Sequence, residues 1–145
     1  MHERIVNSET LTASFGGWPS FHDAEVVALR LDRGDKTRDP WLETDIHVWQ
    51  GSPEVDARGY FVGRLHTLVT LRFEGVDELW LYGLNHQNAL WDLELEDLSE
   101  LETAGVRWGV GMPTSFGLAG NFVCAGIAVV AARPYAVRER TYPAE

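Results

Sequence analysis

Apolar and polar residues alternate with a period of two along most of the chain, and this pattern predicts a fold made of strands. The alternation is clearest at residues 65–73, which predict a half-buried strand. Similar segments lie at residues 24–32, 42–48, 76–82, 91–96 and 106–112. Short connections separate these segments, and no helix-length stretch stands between consecutive strands. The strands are therefore expected to pair antiparallel.

Two short helical segments interrupt the strand pattern. Ser8 is a candidate N-cap, and the glycine pair at 16–17 is expected to end a helix of at most two turns. Residues 97–104 are expected to hold a helical turn, because Asp97 can act as N-cap and Glu100 follows three residues later. The sequence thus predicts an α+β, mostly β fold with an antiparallel sheet of about seven or eight strands and one or two short helices.

The run from Phe122 to Ala132 differs from the other strands because it is apolar on both faces. Such a run predicts a central strand that is covered on both sides. The residues before it, Met112 to Gly120, are expected to form a loop. The length of 145 residues predicts one domain over 1–145. Within it, residues 1–15 form an N-terminal arm or short helix and residues 133–145 a polar tail.

Charge and cysteine content narrow the classes of protein. The formal net charge is -10 at pH 7, which opposes binding to nucleic acid and to anionic membrane surfaces. The longest apolar run is too short to span a bilayer. The single cysteine, Cys124, permits no intrachain disulfide, and no signal peptide is visible at the start. We therefore expect a cytoplasmic location.

One segment, Gly16 to Val26, joins two glycines, an aromatic pair and a His-Asp pair directly before a strand. His22 and Asp23 are the residue types of a general base with its orienting group, or of a metal pair. Adjacent residues of an extended segment point to opposite faces, however, so the two are not expected to converge. The favoured interpretation is a structural turn, held by Ser20 or Asp23, with His22 packed against Trp18 or Phe21.

The alternative is a small metal-dependent hydrolase or ligand-binding domain that uses His22, Asp23 and a second histidine. The remaining histidines, at positions 2, 47, 66 and 86, do not have the spacing of a zinc site. Cys124 is expected to be buried and inert, and no nucleophile elbow or phosphate-binding loop is present. The sequence predicts no catalytic residue, no metal and no cofactor.

Acidic residues are concentrated in one interval. Between Arg72 and Arg107 the chain has neither lysine nor arginine. On strand spacing, Asp92, Glu94 and Glu96 would share one face. The interval forms either a solvated face or a face that binds a basic partner, and it lacks the spacing of a calcium loop. The candidate partner-binding residues are Asp92, Glu94, Glu96, Asp97, Glu100 and Glu102.

Tryptophan is also abundant, with six in the chain. Trp41 and Trp49 fall on the same face of their strand as Glu43, Asp45 and His47. If this face is exposed, it is an aromatic and acidic surface suited to an interface. If a helix or loop covers it, the two indoles belong to the core. An exposed face would favour a third hypothesis, a subunit of a larger complex.

The motif from Trp18 to Val26, with its Trp-Pro-Ser-Phe-His-Asp-Ala-Glu-Val sequence, resembles the N-terminal motif of the immunity protein 50 family. The resemblance extends in kind over roughly residues 8–132, through the segments 69–76, 85–88, 116–117 and 122–124. Within the motif, Trp18, Pro19, Phe21, His22 and Asp23 are interpreted as structural.

The resemblance implies a protein that is encoded beside a secreted bacterial toxin and protects the producing cell by binding that toxin. It implies no enzymatic activity, and the family provides no catalytic residues to transfer. The acid-rich interval suits a basic toxin domain such as a nuclease. The toxin's identity and the oligomeric state do not follow from the sequence.

Overall fold

The computed structural model describes residues 1–60 and 63–136. Within them lie one α-helix, two 3-10 helices (His2–Arg4 and Ser99–Leu101) and a series of strands. The helix is α1 (Glu9–Phe15), and the strands are β1 (Glu25–Asp32), β2 (Trp41–Gln50), β3 (Arg64–Glu74), β4 (Asp77–Tyr82), β5 (Ala89–Leu90), β6 (Glu94–Asp97), β7 (Trp108–Met112), β8 (Thr114–Phe116), β9 (Ala119–Cys124) and β10 (Gly126–Pro134).

The strands form two antiparallel sheets. The first has six strands in the order β10-β3-β2-β1-β5-β8, and the second has four strands in the order β4-β9-β7-β6. Strands make up 49% of the structure and helices 10%, so the predicted α+β, mostly β class is confirmed. The expected antiparallel pairing is also confirmed for every strand pair in the two sheets.

One hydrophobic core lies between the inner faces of the two sheets. Phe73 of the six-stranded sheet meets Phe122 of the four-stranded sheet edge to face, with 5.0 Å between ring centroids. Leu42, Ile46 and Val48 of β2 point inward and are almost fully buried, as the alternation predicts. Burial of such side chains provides the main stabilising term of the fold.

The prediction of a single central strand over the run from Phe122 to Ala132 is wrong. The run is divided at Ala125 into β9, which belongs to the four-stranded sheet, and β10, which lies at the edge of the six-stranded sheet. The Ala125 amide donates to the Glu74 carbonyl at 2.8 Å, where the chain passes from one sheet to the other. Both strands are apolar because each contributes buried residues to the shared core.

Two further segments differ from the prediction. The strand expected over residues 91–96 is shorter and begins at Glu94, while a short strand, β5, stands just before it. The loop expected between Met112 and Gly120 contains β8. Strands of two or three residues such as these form only because β1 offers an edge on which β5 and then β8 can pair.

The N-terminal segment packs along the edge of the six-stranded sheet. The helix α1 occupies the predicted position after Ser8 and ends at Gly16, whose φ of +75° favours glycine. Leu11 is fully buried, and Val6 forms a parallel bridge with Ala128 of β10. At the other end, β10 finishes at Pro134, and most of the predicted polar tail lies outside the described residues.

Candidate partner-binding surface

The segment before β1, residues 16–24, forms a tight turn anchored in the core, and we call it the entry turn. Phe21 is almost fully buried, and Pro19 is buried beside it. The Ser20 hydroxyl oxygen accepts the His22 amide at 3.2 Å, which is one of the two predicted ways of holding the turn. Asp23 contributes through its backbone, since it adopts a φ of +65° and donates its amide to the Leu90 carbonyl.

The side chains of His22 and Asp23 lie closer together than an extended segment would allow. The left-handed conformation of Asp23 brings its Oδ2 to 3.5 Å from His22 Nε2. The imidazole packs edge to face on Trp91 at 4.7 Å, and its Nδ1 lies 2.7 Å from the Trp91 carbonyl oxygen. The expected packing of His22 on Trp18 or Phe21 is therefore wrong, because the turn directs the ring towards the chain that follows β5.

Trp18 instead stacks on His2 with 4.8 Å between ring centroids and lies 5.8 Å from the ring of Phe21. His22 Nδ1 faces a carbonyl oxygen that can only accept, so in the neutral ring Nδ1 carries the proton. The ring is thus oriented by the backbone of Trp91. These contacts join the turn to its neighbours in the fold.

Among the described residues, no group of three or more His, Cys, Asp or Glu side chains is arranged to hold a metal ion. Cys124 is fully buried, as expected, and burial raises the pKa of its thiol to about 12. A thiol with this pKa is protonated at neutral pH and is a poor nucleophile.

A buried amide that the sequence did not single out connects the turn to the rest of the molecule. Asn88 Oδ1 accepts the amides of Asn85 and Leu118, each at 3.0 Å. Its Nδ2 donates to the Asn85 carbonyl at 2.8 Å, and its carbonyl accepts the Val26 amide at 2.9 Å. Gly117 packs against the same side chain, so a tight loop of backbone depends on one asparagine.

The outer face of the six-stranded sheet carries charges of both signs, and these charges are paired. The Arg30 guanidinium binds Asp45 through two contacts of 2.9 Å, and Asp45 also accepts the Thr70 hydroxyl at 2.7 Å. The Arg72 guanidinium donates to Glu43 at 2.8 Å. Hydrogen bonding to Arg30 lowers the pKa of Asp45 below its usual value, although burial acts in the opposite sense.

Aromatic residues flank these ion pairs. Trp41 is half-buried under Arg72, whose guanidinium carbon lies 4.2 Å from the ring centroid. Trp49 is half-buried next to His47, with ring centroids 5.0 Å apart. Both indoles lie on the face that also carries Asp45, as predicted, and part of each ring is covered by its neighbours on the same face.

The same face holds a histidine pair. His47 Nε2 lies 2.9 Å from His66 Nδ1, and the ring of Tyr135 packs on His47 at 4.7 Å. Burial, and then the neighbouring His66, lower the pKa of His47. The two rings share one hydrogen bond, so one ring must be neutral and donate or accept accordingly.

The acid-rich interval lies in and around β6. Glu94 and Glu96 lie on the strand and share its outer face. Asp92 precedes the strand, and its Oδ1 accepts the Leu93 amide at 2.8 Å. The expected shared face is therefore formed by the two glutamates, because the strand begins after Asp92.

The remaining acidic candidates lie at the end of β6. Asp97 accepts hydrogen bonds from the Arg4 guanidinium and from Ser99, and these bonds lower its pKa. Glu100 belongs to the 3-10 helix, and Glu102 ends that helix with a φ of +54°. The structure thus separates Asp97, which already has a cationic partner, from the outward-facing glutamates.

The outer face of the four-stranded sheet forms a shallow groove of about 270 Å³. Its sides include Glu94 and Glu96 from β6 and Glu78 from β4, and its floor is formed by backbone and small side chains of β7 and β9. Within the described strands of this sheet the sequence has no Lys, Arg or His. We call this surface the acidic face.

Exposed aromatic residues border the acidic face on β4. Trp80 is 67% exposed and Tyr82 is 58% exposed, and their rings lie 5.8 Å apart. Trp80 stands opposite Asn121 of β9, which is itself exposed. A large exposed aromatic pair beside carboxylates, in a sheet whose described strands contain no basic residue, has the composition of a protein-binding surface.

None of the helices in the described part of the chain has the length and apolar character needed to cross a bilayer. Comparison with curated proteins and with solved structures found no significant match to either. A family model, in contrast, matches residues 7–135, which include the entry turn, both sheets and the acidic face. Because this match covers most of the chain, the protein belongs to the immunity protein 50 family.

Proposed function

We propose that this chain is a non-catalytic immunity protein that neutralises a bacterial toxin by binding it through the acidic face. Membership of the immunity protein 50 family supports the toxin-neutralising role. The observation that carries the choice of surface is the presence of Glu78, Glu94 and Glu96 on one sheet face whose strands contain no basic residue.

The charge of this face favours a basic partner. Because the described strands of this sheet carry carboxylates and no basic side chain, they give a negative potential over the groove, which speeds encounter with a positively charged surface. Trp80 adds apolar area that such a partner can bury. We therefore propose a toxin domain with a basic binding surface, such as a nuclease, as the partner, and the cytoplasm of the producing cell as the place of binding.

The alternative of a metal-dependent hydrolase has no support among the described residues. His22 and Asp23 lie together, but the imidazole is oriented by the Trp91 carbonyl and no third ligand joins them. Their contacts hold the entry turn.

The proposal is tested with the toxin domain that is encoded beside the gene for this chain. In the variant Glu94→Lys/Glu96→Lys, the association rate at low salt is expected to fall at least tenfold, and protection of cells that express the toxin is expected to weaken. The control is Glu9→Lys/Asp39→Lys, which changes the net charge equally at exposed positions of α1 and of the loop before β2.

Binding kinetics at two salt concentrations distinguish the outcomes. A control that slows association as much as the test variant would mean that net charge acts without a defined surface. Unchanged binding and protection in Glu94→Lys/Glu96→Lys would refute the acidic face as the toxin site. If the wild-type protein neither binds nor protects, the immunity role itself is refuted.

A further inference from the structure

Two glycines lie in the middle of β7, at positions where the strand faces the acidic groove. Gly109 and Gly111 alternate with Trp108, Val110 and Met112, which point into the core. Neither glycine has a positive φ, so the backbone would accept any residue at both positions. Glycine weakens a strand interior, and in strands it often marks a place that another molecule approaches closely.

The missing side chains leave a trough beside β6. A Cβ atom at Gly111 would lie 3.1 Å from Glu94 Oε2, so the Glu94 carboxylate reaches over the glycine. A Cβ atom at Gly109 would lie 3.3 Å from a methyl carbon of Leu98 and 3.6 Å from the Cβ of Glu96. The Glu96 carboxylate oxygen would also lie 3.6 Å from that Cβ atom, so the two carboxylates lie over one side of a floor formed by peptide backbone.

The opposite side of the trough is aromatic. The register aligns Glu94 with Gly111, Gly111 with Asn121, and Asn121 with Trp80. Three strand spacings separate the glutamate from the indole, a width of about 14 Å. This is wide enough for a protein segment to lie between them with one side chain directed at the floor.

We propose that the trough receives an arginine side chain of the toxin, with its aliphatic part on Gly109 and Gly111 and its guanidinium on Glu94 and Glu96. This inference rests on the proposed function. Carboxylates bind a planar guanidinium through paired hydrogen bonds, and an open backbone floor lets it approach closely. Trp80 then contacts the segment that carries the arginine.

A second copy of this chain is a poor occupant of the same trough. Two acidic faces without basic residues would repel each other, and the whole chain carries a net charge of -10. The arginine-bearing partner is therefore the occupant that the charges favour.

The test fills the floor without changing charge. In Gly111→Thr, the three atoms nearest to the new Cβ all belong to Glu94, the nearest being the flexible Oε2 at 3.1 Å, and threonine suits a strand. The matched control is Gly126→Thr at the start of β10, where a new Cβ atom has no neighbour within 4 Å. Affinity for the toxin domain encoded beside the gene is expected to fall at least tenfold in Gly111→Thr and to change less than twofold in the control.

The urea midpoint of each variant is measured to show that the variant is folded. If the midpoint of Gly111→Thr is lowered, the smaller substitution Gly111→Ala is used to measure the effect on affinity in a stable protein. Wild-type affinity in both Gly111 variants, together with loss of binding in Glu94→Lys/Glu96→Lys, would overturn the trough while leaving the acidic face as the toxin site. If neither the Gly111 variants nor Glu94→Lys/Glu96→Lys lose affinity, the acidic face is refuted as the toxin site. A wild-type dimer in sedimentation velocity that Gly111→Thr dissociates would overturn the arginine in favour of a second copy.

A thermodynamic cycle identifies the incoming residue. Each arginine of the toxin domain is replaced by lysine in turn and measured against wild type and Glu94→Gln. One arginine is expected to lose at least fivefold in affinity with wild type and less than twofold with Glu94→Gln, because the paired hydrogen bonds are then already absent. The absence of such an arginine would overturn the proposal.

Discussion

The outer faces of the two sheets carry the same types of acidic residue but differ in whether basic residues of the same sheet pair with them. On the six-stranded sheet, Glu43 and Asp45 are bound by Arg30 and Arg72, and their side chains are mostly buried. On the four-stranded sheet, Glu94 and its neighbours have no basic residue in any strand of the sheet. The paired charges of the six-stranded sheet are used within the molecule, whereas the carboxylates of the four-stranded sheet are the charges that we propose for partner binding.

The difference originates in the order of residues along the chain. The strands β1 and β3 contain both acids and arginines and β2 contains acids, and their pairing brings Arg30 opposite Glu43 and Glu43 opposite Arg72. The strands β4 and β6 come from the interval that has neither lysine nor arginine. The pairing of strands within each sheet therefore keeps the mixed charges and the acidic charges on separate surfaces.

The largest expected effect comes from removing ion pairs on the outer face of the six-stranded sheet, which we call the paired face. Arg72→Met removes the bonds to Glu43 and Glu74 and the contact with Trp41, while it keeps the length of the side chain. Because Glu43 is only 17% exposed, it is left partly desolvated with fewer partners. The free energy of unfolding is expected to fall by about 2 kcal/mol, as measured by urea denaturation.

The control for this prediction is Arg33→Met, which makes the same change at an exposed position after β1. Its effect is expected to remain within about 0.5 kcal/mol. Equal losses in the two variants would contradict the idea that the ion pairs of the six-stranded sheet stabilise it.

The next largest expected effect is on the pH dependence of stability, through His47 on the paired face. The pKa of His47 is lowered by burial and by His66, so the unfolded chain binds a proton at a higher pH than the folded chain does. Stability is therefore complete above about pH 6.5 and is lost as the pH falls towards the folded pKa. His47→Gln is expected to reduce the loss of stability between pH 7.5 and pH 5.5, measured as the urea midpoint.

The groups that contact the His47 ring include His66, which shares a hydrogen bond with it, and the ring of Tyr135. A pH dependence that is the same in His47→Gln and wild type would refute the role of the pair.

The smallest expected effect lies on the acidic face. Glu94→Gln/Glu96→Gln removes repulsion between carboxylates two positions apart on one strand. Stability is expected to rise by about 0.3 kcal/mol at low ionic strength and by less at 1 M salt. A loss of stability of about 1 kcal/mol, measured in the same urea assay, would show that these acids have structural partners.

Local patterns in the sequence predicted β1, β2 and β3, three of the six strands of the larger sheet, best. The positions of β1, β2 and β3 and the inward side of β2 follow from alternation, and the end of the helix follows from Gly16. Ser8 precedes the helix as predicted, but its side chain makes no capping hydrogen bond. Each depends on residues that are close along the chain. The acid-only character of one surface also followed, because the strands of that surface lie in the interval without basic residues.

Features that depend on distant pairing could not be predicted in this way. The apolar run is divided at Ala125 because β9 and β10 belong to different sheets, and an apolar sequence pattern does not indicate which sheet a strand joins. The bond network of Asn88 and the contact of His22 with Trp91 join residues far apart in the sequence. The role that we propose for the glycines of β7 depends on the pairing of β7 with β6, which the sequence does not indicate.

The parallel bridge of Val6 has a consequence for solubility. The strand β10 is long, apolar and at the edge of its sheet, which is the kind of edge on which a foreign strand can add. Val6 occupies part of that edge, since its amide donates to the Ile127 carbonyl and its carbonyl accepts the Val129 amide. Val6 therefore covers part of this edge and protects it from the addition of a foreign strand.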